Sequence, residues 1–533
     1  MRMRILIAFL CAAAALAQEN PWLRLEGRWN RDVNPDDARV LGILARGLIY
    51  EADKKGSPSD PVRQLMSATT DAFAKQEMNR AYRLVVRLNT LLAEGTPDES
   101  TEISASLDFQ LDRRVVAPGD RLRALIQPLF VPDKPLAGVY QTRLSVRGEN
   151  GVVIDSFEPE SLRQPAAKEK ALETGSLKQG HYFVDFELST KEGKSLTRAT
   201  RDFYVYPDLK PRLDALKAKL AKLDGAQEGD RERNAALETI EYITALFDRL
   251  TKEYVADTNR VSHPLVVKMR GQRLSGYTSD LFRYPRDLDF ADELASGLLK
   301  SANPLKTRTG DMRMAHRSAV DQTLQPFRVY VPRGYDPARR YPLIVALHGA
   351  TGDENTYMDR YNLPDGSSLF QKLADERGYI LAAPNGRGPY GMYLQDSETD
   401  VLEVLDRVMA LYPIHADEVF LTGHSMGGGG TWHIGFAHAK RFRALAPVAS
   451  GFGGRLQTRP SIPLKSAPEM PVLFSYGLKD TLATPENSKR LAEYARTELK
   501  NFQAKEFPDD HFVIGITSMP HVFDFFDSFR ARN

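Results

Sequence analysis

The segment LTGHSMGGGGTW, Leu421 to Trp432, constrains the folding of this chain more than any other feature of the sequence. It places Ser425 between Gly423 and Gly427 and follows the second glycine with three more. Consecutive glycines cost conformational entropy and weaken any helix or strand that contains them. The chain therefore needs backbone without a Cβ at this point, as it does where a strand reverses sharply into a helix.

The residues on both sides of the glycines support this interpretation. EVFLTGHS has the pattern of a buried strand, and a helical pattern begins at the glycines, so G-x-S-x-G lies where a nucleophile elbow requires it. Gly423 and Gly427 have no side chain that would collide with the adjoining strand and helix. We therefore predict Ser425 as a nucleophile and the amide of Met426, at the helix start, as an oxyanion donor.

A serine hydroxyl becomes a useful nucleophile only with a base that an acid orients. After such an elbow the acid precedes the histidine along the chain. Asp480 follows the strand-like PVLFSYG, at a strand end where catalytic groups of α/β sheets collect, and is the predicted acid. Glu486 and Asp509 are weaker candidates.

Four histidines follow the serine along the chain. His511, in the loop FPDDHFVIG, is the predicted base, and Asp509 and Asp510 beside it are solvated acids or help to orient that loop. His521 opens the last helical stretch and stays open as an alternative base. His433 and His438 lie on the helix after the elbow, so we predict surface or packing roles for both.

A second oxyanion donor is expected from the segment LIVALHGATGDENTY. Its buried strand ends at His348-Gly349, and the chain then turns through Ala350, whose amide is the predicted donor. His348 is interpreted as a structural loop residue because it precedes the serine along the chain.

The remaining pattern divides the chain into several parts. From 325 to 533, apolar strands alternate with helices, which predicts a mostly parallel sheet covered by helices on both faces. Residues 18–99 are predicted to be helical, with one stretch running from Asp60 to Gly95. Residues 100–207 are predicted to form a small antiparallel, Ig-like β-sandwich. Its first strand is predicted in TEISASLDFQL, where apolar residues alternate. Residues 208–324 are predicted to form a helical hairpin and an irregular linker.

Composition and the N-terminus limit the classes of function. A formal net charge of +2 over 533 residues gives no reason to expect nucleic acid or an acidic membrane as a partner. MRMR, an apolar run and Ala15-Leu16-Ala17 predict a signal peptide cleaved after Ala17, and hence a secreted or periplasmic protein without stable membrane insertion. The single cysteine, Cys11, lies in that signal, so thiol catalysis and cysteine-bound metals are excluded for the mature chain. The sequence does not indicate an oligomeric state.

Five segments in this order, YPLIVALHGATGDENTY, LAAPNGRGPY, the stretch ending in FLTGHSMGGGGTWHIG, FRALAPVASG and the final histidine loop, resemble secreted α/β-hydrolase esterases. The nearest group contains feruloyl and acetylxylan esterases and polyhydroxybutyrate depolymerases. The resemblance spans roughly residues 325–530 and implies an α/β-hydrolase fold that cleaves carboxylic esters through an acyl-enzyme, without metal or cofactor. It matches Ser425, Asp480 and His511 to the catalytic triad, and Ala350 and Met426 to the oxyanion hole.

This sequence departs from the group at two places, and two other functions stay open. YGLKD stands where a histidine-glycine pair is more usual, and DDHF lacks the usual glycine before its histidine, which keeps His521 open. The expected substrate is a small or polymeric ester, such as a polysaccharide-linked ester or a polyester. The first alternative is a prolyl-oligopeptidase-type serine peptidase, although the β-propeller usual in that family has no counterpart in the N-terminal pattern. The second is an inactive hydrolase-like surface protein that binds glycan.

Overall fold

The structure is a computed structural model, and it describes residues 60–75, 77–92, 98–128, 130, 135–158, 160–163, 168–223, 230–251, 284–350, 352–359, 368–388, 391–450 and 464–531. The predicted signal peptide and the rest of the chain before residue 60 lie outside these ranges. The described residues belong to two compact units. One ends at Pro211 and also includes Phe247 and the few residues after it; the other contains Arg212–Leu246 and everything described from residue 284 onward.

Among the described residues of the first unit, three helices come first, α1 (Asp60–Ala74), α2 (Met78–Leu92) and α3 (Glu99–Ser106). The sequence predicted one continuous helical stretch from Asp60 to Gly95. The structure instead ends α1 at Ala74, where the amide of Glu77 donates to the carbonyl of Ala72, and α1 and α2 pack against each other.

Helix α3 differs from the sequence prediction, which placed a strand there. The side chain of Asp98 caps the helix by accepting a hydrogen bond from the amide of Thr101 at 2.8 Å. Ile103 and Ala105 are buried although they lie on a helix. An apolar alternation over a few residues fits either a strand or a helix. Here the hydrogen bond that Asp98 accepts at the N-terminus stabilises the helix.

The part of this unit that the structure describes then forms nine strands: β1 (Leu107–Leu111), β2 (Val115–Val116), β3 (Arg121–Pro128), β4 (Tyr140–Gly148), β5 (Val153–Ser156), β6 (Glu160–Leu162), β7 (Lys168–Glu173), β8 (Gly180–Thr190) and β9 (Ser195–Val205). They form a three-stranded sheet in the order β1-β3-β7 and a six-stranded sheet in the order β2-β9-β8-β4-β5, with β6 also on β4. Apolar residues of both sheets share one buried core, as the predicted sandwich requires. The hairpin of β8 and β9 is antiparallel, as the sequence predicted.

Helices α4 (Leu209–Leu220), α5 (Arg231–Leu250) and α6 (Tyr284–Leu299) come next along the chain. Ion pairs of 2.6 Å join α4 to α6, from Arg212 to Asp289 and from Lys219 to Asp292. These three helices lie in the stretch for which the sequence predicted helical segments.

The second unit contains an eight-stranded sheet made of β10 (Gly310–Arg317), β11 (Leu324–Val331), β12 (Tyr341–Leu347), β13 (Ile380–Pro384), β14 (Ile414–His424), β15 (Ala444–Val448), β16 (Val472–Gly477) and β17 (Phe502–Phe507). The strand order is β10-β11-β13-β12-β14-β15-β16-β17. Strand β11 runs in the opposite direction to the other seven strands of this sheet. This order and direction are those of the α/β-hydrolase fold, as the sequence predicted.

Helices connect these strands: α7 (Thr356–Asp359), α8 (Leu369–Arg377), α9 (Asp396–Leu411), α10 (Met426–Ala437), α11 (Pro485–Glu498), α12 (Ile514–Thr517) and α13 (Met519–Asp527). Alternate strand residues such as Ile344, Ala346 and Phe420 join a core with Phe370 of α8 and Phe523 of α13. Because the carboxyl ends of the parallel strands meet at one edge of the sheet, the loops that follow β12, β14, β16 and β17 lie side by side.

The sheet also includes residues that the sequence pattern predicted as a linker. Strand β10 starts at Gly310, before the predicted boundary at 325, and the hydroxyl of Thr239 on α5 accepts a hydrogen bond from the amide of Ala315. The strand reads GDMRMAHR, and its five central residues are buried, including the polar Arg313 and His316. Because polar and apolar residues are buried together, the strand has no apolar alternation that the sequence could reveal.

Candidate active site

Ser425 lies at the turn between β14 and α10. Its backbone angles are φ 58° and ψ −115°, in a region that residues with a Cβ rarely adopt. Its own amide donates to the carbonyl of Val448 on the neighbouring strand at 2.9 Å, which holds the strained residue in place. The turn therefore presents the hydroxyl at the carboxyl edge of the sheet.

The flanking glycines are required by close contacts between backbone segments. A Cβ on Gly423 would overlap the carbonyl of Gly427, and a Cβ on Gly427 would overlap the carbonyl of Leu347 on β12. A Cβ on Gly428 would meet the carbonyl of Val448 at 2.6 Å. The start of α10 thus lies so close to the sheet that no side chain fits between them.

Three predicted side chains form one hydrogen-bonded chain. The hydroxyl of Ser425 lies 2.8 Å from Nε2 of His511, and Nδ1 of His511 lies 2.7 Å from Oδ2 of Asp480. The other carboxylate oxygen of Asp480 accepts from the amides of Leu482 and Ala483, at 2.7 and 2.8 Å. Because both oxygens are occupied and the residue is 1% exposed, the carboxylate has one fixed orientation.

The structure places the alternative residues elsewhere. The Nδ1 atom of His521 lies 3.0 Å from Nζ of Lys505, and burial followed by that charge lowers the pKa of the imidazole. The carboxylate of Asp509 accepts from the hydroxyl of Thr517 at 2.6 Å. Asp510 caps the amides of Phe512 and Val513, at 2.9 and 3.0 Å, and so shapes the loop that contains His511.

His433 and His438 both contact one carboxylate on α9. Their Nε2 atoms lie 2.8 and 2.7 Å from the two oxygens of Glu398. Burial alone would raise the pKa of Glu398, but the hydrogen bonds from the two histidines lower it overall. These contacts fit the packing role that the sequence predicted for both histidines.

The segment after β12 lies against the nucleophile. A Cβ on Gly349 would come within 3.4 Å of the Cβ of Ser425, so the turn that contains Ala350 borders the serine. Met426 is the first residue of α10, where backbone amides lack a helical carbonyl partner. Both predicted oxyanion donors therefore belong to elements that meet at Ser425.

His348 is buried beneath this turn. Burial lowers the pKa of its imidazole, although hydrogen bonds to the carbonyls of Asn385 and Gly349 oppose the shift. The hydroxyl of Tyr393 donates to the backbone carbonyl of His348 at 3.1 Å. A buried ring that contacts two backbone carbonyls fits the structural role that was predicted for His348.

Among the described residues, one group of side chains has donors of the kind that bind metal ions: His316, Asp400 and Glu403, whose ligand atoms lie within 4.8 Å of one another. The guanidinium of Arg387 lies 2.6 Å from Asp400, and the amide of Ala319 donates to Glu403 at 2.9 Å. Because groups of the protein already compensate these charges, we assign no metal to the cluster.

Two contacts near the site were missed by sequence reasoning. Nε2 of His424 lies 2.6 Å from the backbone carbonyl of His511, and Asn355 lies between two buried arginines. His424 gave no signal beyond its position next to the serine. Asn355 lies in GDENTY, where several polar residues directly follow a buried strand, and that density of polar residues was the available signal.

Chemically, this arrangement pairs a hydroxyl with an imidazole that a buried carboxylate orients. The geometry suits proton transfer from oxygen to nitrogen as the oxygen attacks an electrophile. The helix start and the turn after β12 supply amides where a negative oxygen would develop.

Curated relatives match part of the chain, although no protein-family model matches it. It is 28% identical over 159 residues to the bifunctional acetylxylan esterase/xylanase XynS20E of Neocallimastix patriciarum, a match that covers 28% of this chain and 21% of that protein. It is 29% identical over 122 residues to a probable feruloyl esterase C of Aspergillus terreus, covering 23% of this chain and 44% of the relative. The matches thus span less than half the length of either relative, and the chain is similar to this group of esterases.

A solved structure matches the chain as well. The CE1 ferulic acid esterase AmCE1/Fae1A of Anaeromyces mucronatus is 17% identical and has a TM-score of 0.33, covering 41% of this chain and 90% of that one. No helix in the described ranges combines the length and apolar character needed to cross a membrane.

Proposed function

We propose that this chain is an exported serine hydrolase that cleaves carboxylic esters through an acyl-enzyme. The single observation that carries the proposal is the chain of hydrogen bonds from Ser425 through His511 to Asp480, at 2.8 and 2.7 Å. Similarity to acetylxylan and feruloyl esterases supports an ester as the substrate.

In the first step, His511 takes the proton of Ser425 through Nε2 while the serine oxygen attacks the ester carbonyl. The resulting imidazolium is stabilised by Asp480, which also keeps Nδ1 protonated. His511 then gives the proton to the leaving alcohol, and the acyl group stays on the serine. Water, activated by the same imidazole, releases the acid and restores the hydroxyl.

The tetrahedral intermediates of both steps bear a negative oxygen. In the proposal, the amides of Met426 and Ala350 bind it, and each such donor lowers the barrier by about 3 kcal/mol. The positive end of the α10 dipole adds to this stabilisation. The backbone strain at Ser425 serves to keep the hydroxyl and the first amide in fixed relation.

The proposed substrates are esters linked to polysaccharides or polyesters, because the relatives are named acetylxylan and feruloyl esterases. The signal-like N-terminus supports export, which would bring the enzyme to such polymers. The proposed chemistry involves only groups of the protein and water.

The test is hydrolysis of a chromogenic acetyl ester by the purified chain and by its Ser425→Ala variant. We expect activity in the first and none above background in the second. His511→Ala and His521→Ala form a matched pair, and only the former is expected to abolish hydrolysis. Loss of activity in His521→Ala with retention in His511→Ala would overturn the assignment of the base.

The same preparation separates the alternative functions. Feruloyl, acetyl and hydroxybutyryl esters are compared with succinyl-peptide substrates at equal concentration. Preferential peptide cleavage would favour the peptidase, and hydrolysis of neither class together with glycan binding would favour an inactive binding protein. Preferential ester cleavage supports the esterase, and the preferred acyl group then identifies the substrate class.

A further inference from the structure

Two buried arginines face each other across the neighbouring strands β10 and β11. Arg313 on β10 and Arg328 on β11 are directly paired in the register, and they are 2% and 0% exposed. Like charges opposite each other in a sheet are destabilising, and burial increases the cost. Such a pair persists only where acids and hydrogen-bond acceptors surround it.

Acidic groups on several elements compensate this pair. Arg313 lies 3.0 Å from Asp287 on α6, while Arg328 contacts Asp311 on β10 and lies 2.8 Å from Asp359 on α7. Buried ion pairs add little net stability compared with apolar residues of the same volume. We therefore expect these ion pairs to act by fixing the positions of the two arginines and of the residue that the arginines bind.

The residue held by both arginines is Asn355. Its Oδ1 atom accepts from Nη2 of Arg313 at 2.7 Å and from Nη1 of Arg328 at 2.8 Å. An amide oxygen has two lone pairs, so both are used. Asn355 is 3% exposed, and its Nδ2 donates to Glu354 at 3.3 Å.

Asn355 belongs to the turn that follows Ala350. The amide of Gly352 donates to the carbonyl of Gly349 at 3.0 Å, and the amide of Asn355 donates to the carboxylate of Asp353 at 2.9 Å. Short-range hydrogen bonds thus join Gly349 to Gly352 and Asp353 to Asn355, and the two arginines attach Asn355 to the sheet.

We propose that Asn355 is a positioning residue, which through Arg313 and Arg328 sets the place of the Ala350 amide against Ser425. This inference rests on the proposed esterase function. An oxyanion donor acts only within a narrow distance of the developing charge, so a loosened turn weakens transition-state binding more than substrate binding.

The test replaces Asn355 with leucine, which has a similar size and no acceptor, and with aspartate, which keeps the accepting oxygens. For Asn355→Leu we expect kcat to fall about tenfold or more and KM to stay within about twofold. Inhibition by phenylboronic acid, whose serine adduct places an oxygen in the oxyanion site, should weaken by a similar factor. Asn355→Asp should keep kcat within about threefold of the wild type.

The matched control is Asp527→Asn, which removes the negative charge facing Arg377 and one of the two oxygens that accept hydrogen bonds from Arg377 and Tyr379. These residues do not take part in the contacts that hold Asn355, so the variant should lower the urea midpoint with kcat unchanged. If Asn355→Leu does not fold, Asn355→Ala, which leaves room for water, takes its place with the same expectation.

The outcomes for the inference and for the esterase function are distinct. An active wild type with unchanged kcat and boronate affinity in Asn355→Leu overturns the inference alone. Equal kcat losses in Asn355→Leu and Asp527→Asn, in proportion to lost stability, also overturn it. A wild type without Ser425-dependent ester hydrolysis overturns both.

Discussion

The imidazole of His424 donates from Nε2 to the backbone carbonyl oxygen of His511, at a distance of 2.6 Å. A carbonyl oxygen only accepts, so this nitrogen must bear the hydrogen. The residue directly before Ser425 thereby holds the loop of the histidine that contacts Ser425, and their two rings lie 4.9 Å apart. The hydroxyl and its histidine thus share one rigid frame, built from the end of β14.

Replacing His424 with leucine should lower kcat about tenfold with little change in KM, because a lost buried hydrogen bond of about 1–2 kcal/mol frees the base loop. His424→Gln can still donate and should recover part of the rate. Steady-state kinetics on a chromogenic ester provide the measurement. The control, His433→Gln, changes a histidine bonded to Glu398 and should keep the wild-type kcat. Wild-type kinetics in His424→Leu would contradict the shared frame.

Replacing Asp480 with asparagine should lower kcat by about 10³–10⁴-fold, because the amide no longer stabilises the imidazolium or enforces its tautomer. Asp509→Asn is the matched control, since that carboxylate contacts Thr517 instead of His511. Its kcat should stay within about twofold of the wild type. Comparable losses in the two variants, measured at saturating ester, would remove Asp480 from its proposed role.

Replacing Gly427 with alanine should reduce the free energy of unfolding by at least about 3 kcal/mol, because the new methyl group overlaps the backbone of Leu347. Urea denaturation followed by fluorescence measures the change. Gly334→Ala is the control, because a Cβ there meets nothing within 4 Å and its φ is not positive. Equal stability of the two variants would show that the elbow tolerates a side chain.

The stability of the fold should depend on pH through Asp400. Burial raises the pKa of its carboxyl from 3.8 to about 6, although Arg387, His316 and Ser318 oppose the shift. The folded chain therefore holds this proton to higher pH than the unfolded chain, and its stability falls as pH rises from about 4 to about 6. A shift of about two pKa units corresponds to about 3 kcal/mol.

The Asp400→Asn variant should lack this fall, so the wild type loses up to about 3 kcal/mol relative to it across that range. Urea unfolding at several pH values gives the difference. Asp406→Asn, an exposed acid on the same helix, should give parallel curves with the wild type. Parallel curves for Asp400→Asn as well would mean that the Asp400 carboxyl titrates normally in the folded chain.

Much of the fold was accessible from local patterns. The alternation of buried strands and helices predicted the α/β unit, and the period-two segments predicted the β8–β9 hairpin. Two predictions failed for different reasons. In TEISAS a capping hydrogen bond that Asp98 accepts outweighed the apolar alternation. In GDMRMAHR the buried residues include Arg313 and His316, whose acidic partners are distant in sequence.

The sequence by itself determined the turn at Ser425, because backbone strain and the steric demand for glycine are local properties of a few neighbouring residues. Only the tertiary structure decided which histidine meets that serine, since His511 and His521 are close in sequence and differ in what the fold brings against them. It alone revealed that His424 holds the base loop and that Arg313 and Arg328 hold Asn355. Those contacts join segments far apart along the chain, and no periodicity encodes a distance in space.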